Sequence, residues 1–319
     1  MKKITIVVSV YNEEAVLNSF FNAFDNFCDI LIWDYELIFV NDGSNDKSLL
    51  LLEQYAYKNK RAKIISFSRN FGHEAAMIAG IDAATGDGVI CMDADLQHPL
   101  ECIPQIIGKF EEGYEVISMV RLANKSAGFV KNVTSKIFYK VVNVLSEQAN
   151  FEENASDFFA ISNRVADILK NNFREKSRFL RGYVQSVGFK KTTIEYVAAE
   201  RAGGESHYSL KKLWKFSVST IILYSDLPLK LGIYAGVLSA LMGIVMLIYT
   251  LFTYHSAPSG YATIVILICF LFAVLFVVVG VIGEYIAVLF SEIKDRPIYL
   301  VDKKINFFGG GSAIHDQTV

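Results

Sequence analysis

The sequence predicts an α/β domain with a mostly parallel sheet, followed by a membrane-anchoring region. Short β-branched runs alternate with helical patterns over roughly the first two hundred residues, as in chains that build parallel sheets. Polar residues directly follow most of the predicted strands. The last third of the chain holds two long apolar segments, residues 231–254 and 262–290.

Composition excludes several classes of protein. The chain has 319 residues, of which 52% are hydrophobic, and a mean hydropathy of +0.33, which excludes disorder and favours membrane segments. Its 31 basic and 33 acidic side chains give a net charge of −2, so we expect no nucleic-acid partner. The four cysteines include no CxxC pair, which argues against a disulfide framework and a thiolate zinc site.

Five strands and three helices can be placed from the local pattern. The strands are predicted at 4–10, 36–40, 62–67, 88–92 and 115–120, and the helices at about 14–27, 47–59 and 73–84. In open sheets of this type, ligands bind at the carboxyl ends of the strands. Polar side chains follow four of the strands, at 11–13, 41–44, 68–70 and 93–97. We therefore expect these strand ends to form one crevice.

Two carboxylates separated by one residue indicate what the crevice binds. No G-x-G-x-x-G follows the first strand, and the chain contains no P-loop. Asp93, Asp95 and Gln97 can direct oxygens toward one hard cation, Mg²⁺ or Mn²⁺, whose shell substrate phosphates usually complete. This points to a phosphorylated substrate, and a nucleotide-sugar is one natural candidate. His73 and His98 have no partner four residues away, so we interpret both as polar loop residues.

The two apolar segments are predicted to span a membrane as helices. Residues 231–254 carry no formal charge and would form a helix about 36 Å long, enough for a hydrocarbon core of about 30 Å. Lysine and arginine flank the pair of segments and are absent from the loop between them. The positive-inside rule therefore places both termini in the cytoplasm and the loop outside.

The domain boundaries follow from these segments. We predict a cytoplasmic α/β domain at 1–208, an amphipathic juxtamembrane segment at 209–230, spans at 231–254 and 262–290, an external loop at 255–261 and a cytoplasmic tail at 291–319.

Five motifs, in order, carry a resemblance to a known family. They are VVSVYNEE at 7–14, VNDGSND at 40–46, SRNFGHEAAMIAGIDAATGD at 68–87, DADLQHP at 93–99 and ERAGGESHYSLKKLW at 200–214. With these motifs the chain resembles the family 2 glycosyltransferases, and within them the polyprenyl-phosphate branch, which includes dolichyl-phosphate mannose synthase. The stretch GEYIAVLFSEIKDRPIY at 283–299 is similar to the bactoprenol glucosyltransferases in particular. The resemblance covers nearly the whole chain. It implies a GT-A type, Rossmann-like sheet domain followed by interfacial helices and two transmembrane helices.

The resemblance also implies roles for individual residues. The nucleotide-sugar site would comprise Ser9, Tyr11, Glu13, Val40, Asp42, Asp93, Ala94 and Arg121. The metal, Mg²⁺ or Mn²⁺, would be held by Asp95 and Gln97, and the acceptor phosphate by Arg201, Ser206 and His207. The catalytic residues would be Asp93, Asp157 and Arg201. Whether Asp157 accepts a proton or orients the acceptor is left open at this point.

The chain departs from the family pattern at three places. Ser9 stands where the family usually has proline. His207 stands where it usually has lysine, which weakens one expected phosphate contact. Phe158 and Phe159 replace a polar run, which bears on the expected selection of sugar or acceptor.

The function implied by the resemblance is transfer of a hexose onto undecaprenyl phosphate at the inner (plasma) membrane, with UDP-glucose as the favoured donor. The product would serve a later modification of a surface glycan, such as lipopolysaccharide O-antigen or cell wall. No residue is placed as a covalent nucleophile, so we expect a single displacement with inversion.

Several alternatives stay open. Galactose, N-acetylhexosamine and aminoarabinose donors fit the same motifs, and a non-catalytic scaffold that binds a nucleotide-sugar is a further alternative. A processive synthase is disfavoured because its Gln-x-x-Arg-Trp motif is absent from the chain. Two lone spans make a homo-oligomer plausible.

Overall fold

The computed structural model describes residues 2–29, 31–122, 155–176, 178–199, 227–253 and 260–307. These residues fall into two compact units. The first contains the described residues up to 199 together with 297–307, and the second contains 227–253 and 260–296.

An eight-stranded sheet forms the centre of the first unit. In chain order its strands are β1 (Lys3–Val10), β2 (Asp34–Asn41), β3 (Ala62–Phe67), β4 (Gly88–Asp93), β5 (Val116–Arg121), β6 (Ala155–Ser162), β7 (Lys191–Tyr196) and β8 (Val301–Ile305). Their order across the sheet is β7-β5-β6-β4-β1-β2-β3-β8. β6 and β8 run antiparallel to their neighbours, and the other pairs are parallel. The prediction of a mostly parallel sheet is therefore confirmed.

Helices cover the sheet: α1 (Leu17–Cys28), α2 (Ser48–Lys58), α3 (His73–Ala83), α4 (Ile103–Glu111), α5 (Asn163–Asn172) and α6 (Leu180–Ser186). The first of them shows why they pack there. Its apolar residues recur at helical spacing, so one face, with Leu17, Phe20 and Phe24, is fully buried. The ring of Phe20 lies edge-on to that of Phe39 on β2, with 5.9 Å between the ring centroids. The core thus lies between helices and sheet.

All five predicted strands and all three predicted helices are present, with ends displaced by at most three residues. The structure adds β6, β7 and β8, which the local pattern does not predict. β6 lies between β4 and β5, and Phe159 pairs with Cys91. Because β6 runs antiparallel to β4, its first residues lie at the carboxyl edge of β4. This brings Asp157 to the edge where Asp93 ends its strand.

A buried carboxylate joins several strands near their amino-terminal ends, opposite the carboxyl edge. Glu36 on β2 is 4% exposed and accepts hydrogen bonds from Thr5 Oγ1 (2.6 Å), Lys63 Nζ (2.7 Å) and Thr85 N (2.7 Å). Burial opposes its ionisation, but these bonds outweigh burial and lower the pKa of Glu36 to about 2. The carboxylate therefore connects β1, β2, β3 and the turn before β4.

The chain returns to the sheet after the second unit. β8 pairs with β3, and the ring of Tyr299 stacks on Phe67 with 5.1 Å between centroids. The Tyr299 hydroxyl donates to Asp82 Oδ2 (2.7 Å), and Arg174 Nη1 donates to both oxygens of the same carboxylate. Part of the segment that we predicted as a tail, 291–319, thus belongs to the sheet.

Two long helices form the second unit: α7 (Leu227–Thr253) and α8 (Tyr261–Ile293). They approach closely at Gly232, where a Cβ atom would lie 3.3 Å from Val278 Cγ1. Many apolar side chains along both helices are exposed, for example Phe252 at 87% and Ile293 at 78%. Such exposure in two long helices needs an apolar environment or a partner to cover it.

One segment among the described residues, Phe270–Ile293, is long and apolar enough to cross a membrane, with a mean hydropathy of 2.5. It lies within α8 and overlaps the predicted span at 262–290. The other predicted span, 231–254, stays a prediction. The predicted juxtamembrane segment at 209–230 and the predicted loop at 255–261 fall largely outside the described residues.

Candidate functional site

Hydrogen bonds join the loops that follow β1 and β2. Asn12 N donates to Ser44 Oγ (2.9 Å), and Asn45 N donates to Asn12 Oδ1 (2.9 Å). Glu13 N donates to Ser48 Oγ at the start of α2 (2.8 Å). Asn12 has a left-handed backbone with φ of 55°, a conformation that asparagine tolerates better than most residues. Two of the four predicted polar strand ends are thus fixed to each other.

Asp42 joins the loop after β2 to the loop after β3. Its carboxylate is 2% exposed and accepts hydrogen bonds from Phe71 N (2.6 Å) and Gly72 N (2.9 Å). Burial raises the pKa of Asp42 despite these bonds. Gly43, with φ of +64°, lies so close to this loop that a Cβ atom would come 2.4 Å from the carbonyl carbon of Arg69. Asp42 therefore braces the loop, and its contact with a nucleotide stays a prediction.

Asp93, Ser9 and His73 meet at the centre of the carboxyl edge. Ser9 Oγ donates to Asp93 Oδ1 (3.0 Å) and lies 2.9 Å from His73 Nδ1, which is 3.6 Å from Asp93 Oδ1. Burial lowers the pKa of His73, but the carboxylates of Asp93 and Asp157 outweigh burial and raise it overall. A proline at position 9 could make neither contact. The departure from the family pattern at Ser9 thus adds a hydroxyl to the site.

Asp157 lies on the other side of the same imidazole. Its Oδ2 is 3.9 Å from His73 Nε2, and its Oδ1 accepts from Arg181 Nη2 (2.7 Å) and Nε (3.2 Å). Burial opposes ionisation of Asp157, but the charges of Arg181 and His73 outweigh it and lower its pKa to about 2. Glu74, next in the chain to His73, is affected in the opposite direction. Burial and the charge of Asp157 raise the pKa of Glu74 to about 7.

His98 and the phenylalanines after Asp157 are buried. His98 is 6% exposed, its Nδ1 accepts from Asp93 N (3.0 Å), and its ring stacks 4.9 Å from that of Phe158. Nδ1 is therefore the acceptor nitrogen of this ring, which leaves Nε2 as its donor. Phe158 and Phe159 are 0% and 4% exposed, so they belong to the core. His98 lies in a loop, as predicted, but it is buried and accepts a hydrogen bond from Asp93 N. The interpretation of His73 as a loop residue is wrong, because His73 is the first residue of α3.

Asp95 and Gln97 form a tight turn after β4. Gln97 N donates to Asp95 Oδ1 (3.1 Å), and Leu96 between them has φ of 60°. The described part of the chain contains no cluster of three or more His, Cys, Asp or Glu side chains that could hold a metal. Mg²⁺ and Mn²⁺ need only one or two carboxylates when substrate phosphates complete the shell. The oxygen-only donors of this turn therefore fit such an ion.

The remaining predicted site residues divide into three groups. Val40 and Ala94 are 0% and 1% exposed, so neither presents a side chain to a ligand, and their predicted contacts stay predictions. Tyr11 is 38% exposed, and Arg121 ends β5 at the same edge of the sheet. The predicted acceptor-phosphate residues lie outside the described residues: Arg201, Ser206 and His207.

Two residues in this site are missed by the sequence reasoning. His73 follows a loop motif and begins a helix. Because that helix has no second histidine with which to bind a metal, the sequence gives no sign of a functional role for His73. Arg181 lies on α6, far from Asp157 in the chain, and no spacing rule connects them. Only the pairing of β6 with β4 brings the aspartate to both of them.

Comparisons with known proteins agree with this architecture. Residues 5–169 match the model of Glycosyl transferase family 2, and residues 227–289 match the GtrB C-terminal hairpin. An uncharacterized glycosyltransferase, YkcC of Bacillus subtilis, is 41% identical over 94% of this chain and 93% of its own length. The bactoprenol glucosyl transferase of Shigella phage SfII is 36% identical over 94% of this chain and 98% of its own.

The fold is also similar to that of a solved structure. The crystal structure of a mycobacterial protein superposes with a TM-score of 0.50 at 16% identity, covering 69% of this chain and 73% of the other. At that identity the likeness concerns the fold alone. The family match to more than half of the chain, and the relatives that align along nearly all of it, lead to one conclusion: this chain belongs to glycosyltransferase family 2.

Proposed function

We propose that the protein transfers a hexose from a nucleotide-sugar, with UDP-glucose favoured, to undecaprenyl phosphate in the plasma membrane. The observation that carries the proposal is the arrangement of Asp93, His73 and Asp157 at the carboxyl edge of the sheet, beside the metal-fitting turn. The names of the bactoprenol glucosyl transferases, 34–36% identical over most of the chain, support this acceptor. The product is a lipid-phosphate sugar for later glycan modification.

The donor end of the site would comprise the loops after β1, β2 and β4. Asp95 and the side chain of Gln97 would hold Mg²⁺ or Mn²⁺, which when bound supplies positive charge beside the departing diphosphate. Asp93, oriented by Ser9 and by the hydrogen bond from its backbone N to His98, would contact the sugar. Arg121 and Arg201 would add positive charge at the phosphates.

The acceptor needs little activation. The second pKa of a phosphate monoester is roughly 6, so a lipid phosphate is largely ionised near neutral pH and can attack the sugar carbon directly. The pKa of Asp157 is lowered to about 2, so its carboxylate is a weak base at that pH. We therefore assign Asp157 to orientation of the acceptor. A single displacement inverts the sugar configuration.

Membrane anchoring would follow from the second unit. The apolar segment of α8 and the exposed apolar side chains of α7 support two spans with a short external loop. Lys230, in the first turn of α7 and just before the predicted span, and Lys294 and Arg296 after α8 are consistent with cytoplasmic ends. In this arrangement the catalytic unit works on the cytoplasmic leaflet, where an undecaprenyl phosphate headgroup is accessible.

The test is transfer of label from UDP-glucose to undecaprenyl phosphate by the full chain in detergent. We expect transfer with Mg²⁺ or Mn²⁺, and at least a hundredfold less when EDTA is present or in Asp95→Asn (an estimate of ~3 kcal/mol). Asp34→Asn, on the exposed opposite edge of the sheet, is the control and keeps full activity. If label is transferred only from another nucleotide-sugar, the proposed reaction stands and the identity of the sugar changes. No transfer from any donor, in protein that binds UDP, would favour a scaffold.

A further inference from the structure

Acidic and basic side chains alternate across the carboxyl edge of the sheet. Asp93 faces His73 Nδ1 at 3.6 Å, His73 Nε2 faces Asp157 at 3.9 Å, and Asp157 is bound by Arg181 at 2.7 Å. The two aspartates thus lie on opposite sides of one imidazole. We call this set the charge row.

The two aspartates of the charge row face different parts of the site, because they lie on neighbouring strands, Asp93 on β4 and Asp157 on β6. The loops after β1, β2 and β3, which hold Asp42 and its partners, lie on one side of β4. Asp157 lies on the opposite side, on β6. A nucleotide-sugar in the first set of loops would bring its sugar to Asp93. The attacking group would then approach from the Asp157 side.

The negative charge of Asp157 would repel an anionic acceptor. A phosphate monoester carries between one and two negative charges at neutral pH and would be repelled by a bare carboxylate a few ångströms away. The guanidinium of Arg181 places two donors on one oxygen of that carboxylate, Nη2 at 2.7 Å and Nε at 3.2 Å. This arrangement neutralises the charge and also fixes the orientation of the side chain.

We propose that Arg181 is a positioning residue that acts through Asp157: it holds and neutralises this carboxylate so that a lipid phosphate can bind beside it. The inference rests on the proposed function, because it requires an anionic acceptor. It differs from direct phosphate binding by Arg181 in one measurable respect. If Arg181 acts through Asp157, removal of the aspartate charge makes the arginine dispensable for acceptor binding.

A double-mutant cycle tests this difference through equilibrium binding of undecaprenyl phosphate to the full chain in detergent, without donor. We expect Arg181→Gln to raise the Kd about tenfold, because a carboxylate that has lost its nearest cation then faces the phosphate. Asp157→Asn alone keeps the Kd at the wild-type value or lowers it, because the charge of Asp157 opposes phosphate binding, while the orienting role assigned to it affects the rate of transfer and not the affinity. The double variant returns the Kd to within about twofold of wild type. Arg181→Lys, which keeps the charge and loses the fork, lies between wild type and Arg181→Gln.

Arg174→Gln is the matched control, because it breaks an arginine–aspartate pair of the same kind, with Asp82, outside the charge row. We expect it to lower the Tm and leave the Kd unchanged. Thermal unfolding of every variant checks that the fold persists, and binding by the double variant shows that the site survives removal of both side chains.

The outcomes separate the inference from the proposed function. Wild-type protein that binds no undecaprenyl phosphate would overturn the proposed acceptor. If the wild type binds undecaprenyl phosphate, and Arg181→Gln and the double variant have equally raised Kd values, the inference alone is overturned. Arg181 is then a direct phosphate ligand. An unchanged Kd in Arg181→Gln would also overturn it.

Discussion

At the residue scale, the site depends on side chains that hold one another rather than on any single group. Ser9 contacts both Asp93 and His73, and His98 Nδ1 accepts a hydrogen bond from the backbone N of Asp93. Each of these contacts joins a different loop or strand. Removing one partner leaves a polar atom of the other unsatisfied in a partly buried place, which costs more than the bond itself contributes.

Glu74 leads to a prediction about pH and stability. Its pKa is raised from 4.5 to about 7, so the folded chain holds a proton that the unfolded chain has released. Stability should therefore fall as pH rises from about 4.5 to about 7. Glu74→Gln removes this dependence and should stabilise the protein by about 2 kcal/mol at mildly alkaline pH, less than the full shift implies because the side chain is partly exposed.

Thermal unfolding of Glu74→Gln and wild type at about pH 5 and about pH 8 measures this difference. Glu112→Gln, whose side chain is 53% exposed, is the control and should follow the wild-type curve. If the stability of Glu74→Gln depends on pH as that of the wild type does, Glu74 is ionised in the fold.

How well the site residues can be predicted depends on how local their signal is. Asp93 and Asp95 follow a strand directly, so the pattern of the chain places them at the carboxyl edge. Asp157 is named from the resemblance, and nothing in its neighbourhood connects it to Asp93. Arg181 has no such signal, because its partner is 24 residues away and is reached through sheet pairing. Contacts set by tertiary structure alone are the ones that sequence reasoning misses.

At the element scale, five of the six parallel strands are predicted, whereas the parallel strand β7 and both antiparallel strands are missed. β1 to β4 are short, β-branched and separated by helices, a pattern that identifies each of them locally. β6 follows no such alternation and is inserted between β4 and β5, out of chain order. β8 is charged and exposed over most of its length, so its hydrophobic pattern is weak. Its place is determined by pairing with β3.

The buried carboxylate on β2 leads to a second prediction. Glu36 binds Thr5, Lys63 and Thr85, and Glu36→Gln leaves the Lys63 ammonium without its charged partner. We expect a loss of about 3 kcal/mol in the free energy of unfolding at neutral pH. Since the pKa is lowered to about 2, the contribution of Glu36 is present above its ordinary value of 4.5 and is lost as pH falls toward about 2.

Chemical denaturation at neutral pH and at about pH 3 gives the free energy of unfolding and tests both parts of this prediction. Stability of the wild type should fall with pH through that window more steeply than that of Glu36→Gln. Asp34→Asn is the control: its side chain is 41% exposed and lies 3.4 Å from Arg61, and such surface pairs contribute about 0.5 kcal/mol. Equal losses in the two variants would mean that the buried network adds nothing beyond a surface pair.

At the scale of the whole molecule, the proposed topology can be tested from both sides of the membrane. In a variant without its native cysteines, Ser256→Cys lies in the predicted external loop and Ser312→Cys in the predicted cytoplasmic tail. We expect an impermeant maleimide to label the first in intact right-side-out vesicles and the second only after permeabilisation, because lysine and arginine lie beside the tail and not in the loop. The reverse labelling would refute two spans with cytoplasmic ends.

The strand β8 has a consequence for the order in which this protein is made. Its residues, Val301–Ile305, are synthesised after both long helices, yet they cover the edge strand β3, which was made near the start. Until then the nascent chain carries an open edge that is able to pair with other strands. Synthesis of α7 and α8 therefore precedes completion of the sheet. A stop codon placed after Ile293 would release a chain with an uncapped, aggregation-prone sheet, even though every residue of the candidate site had been translated.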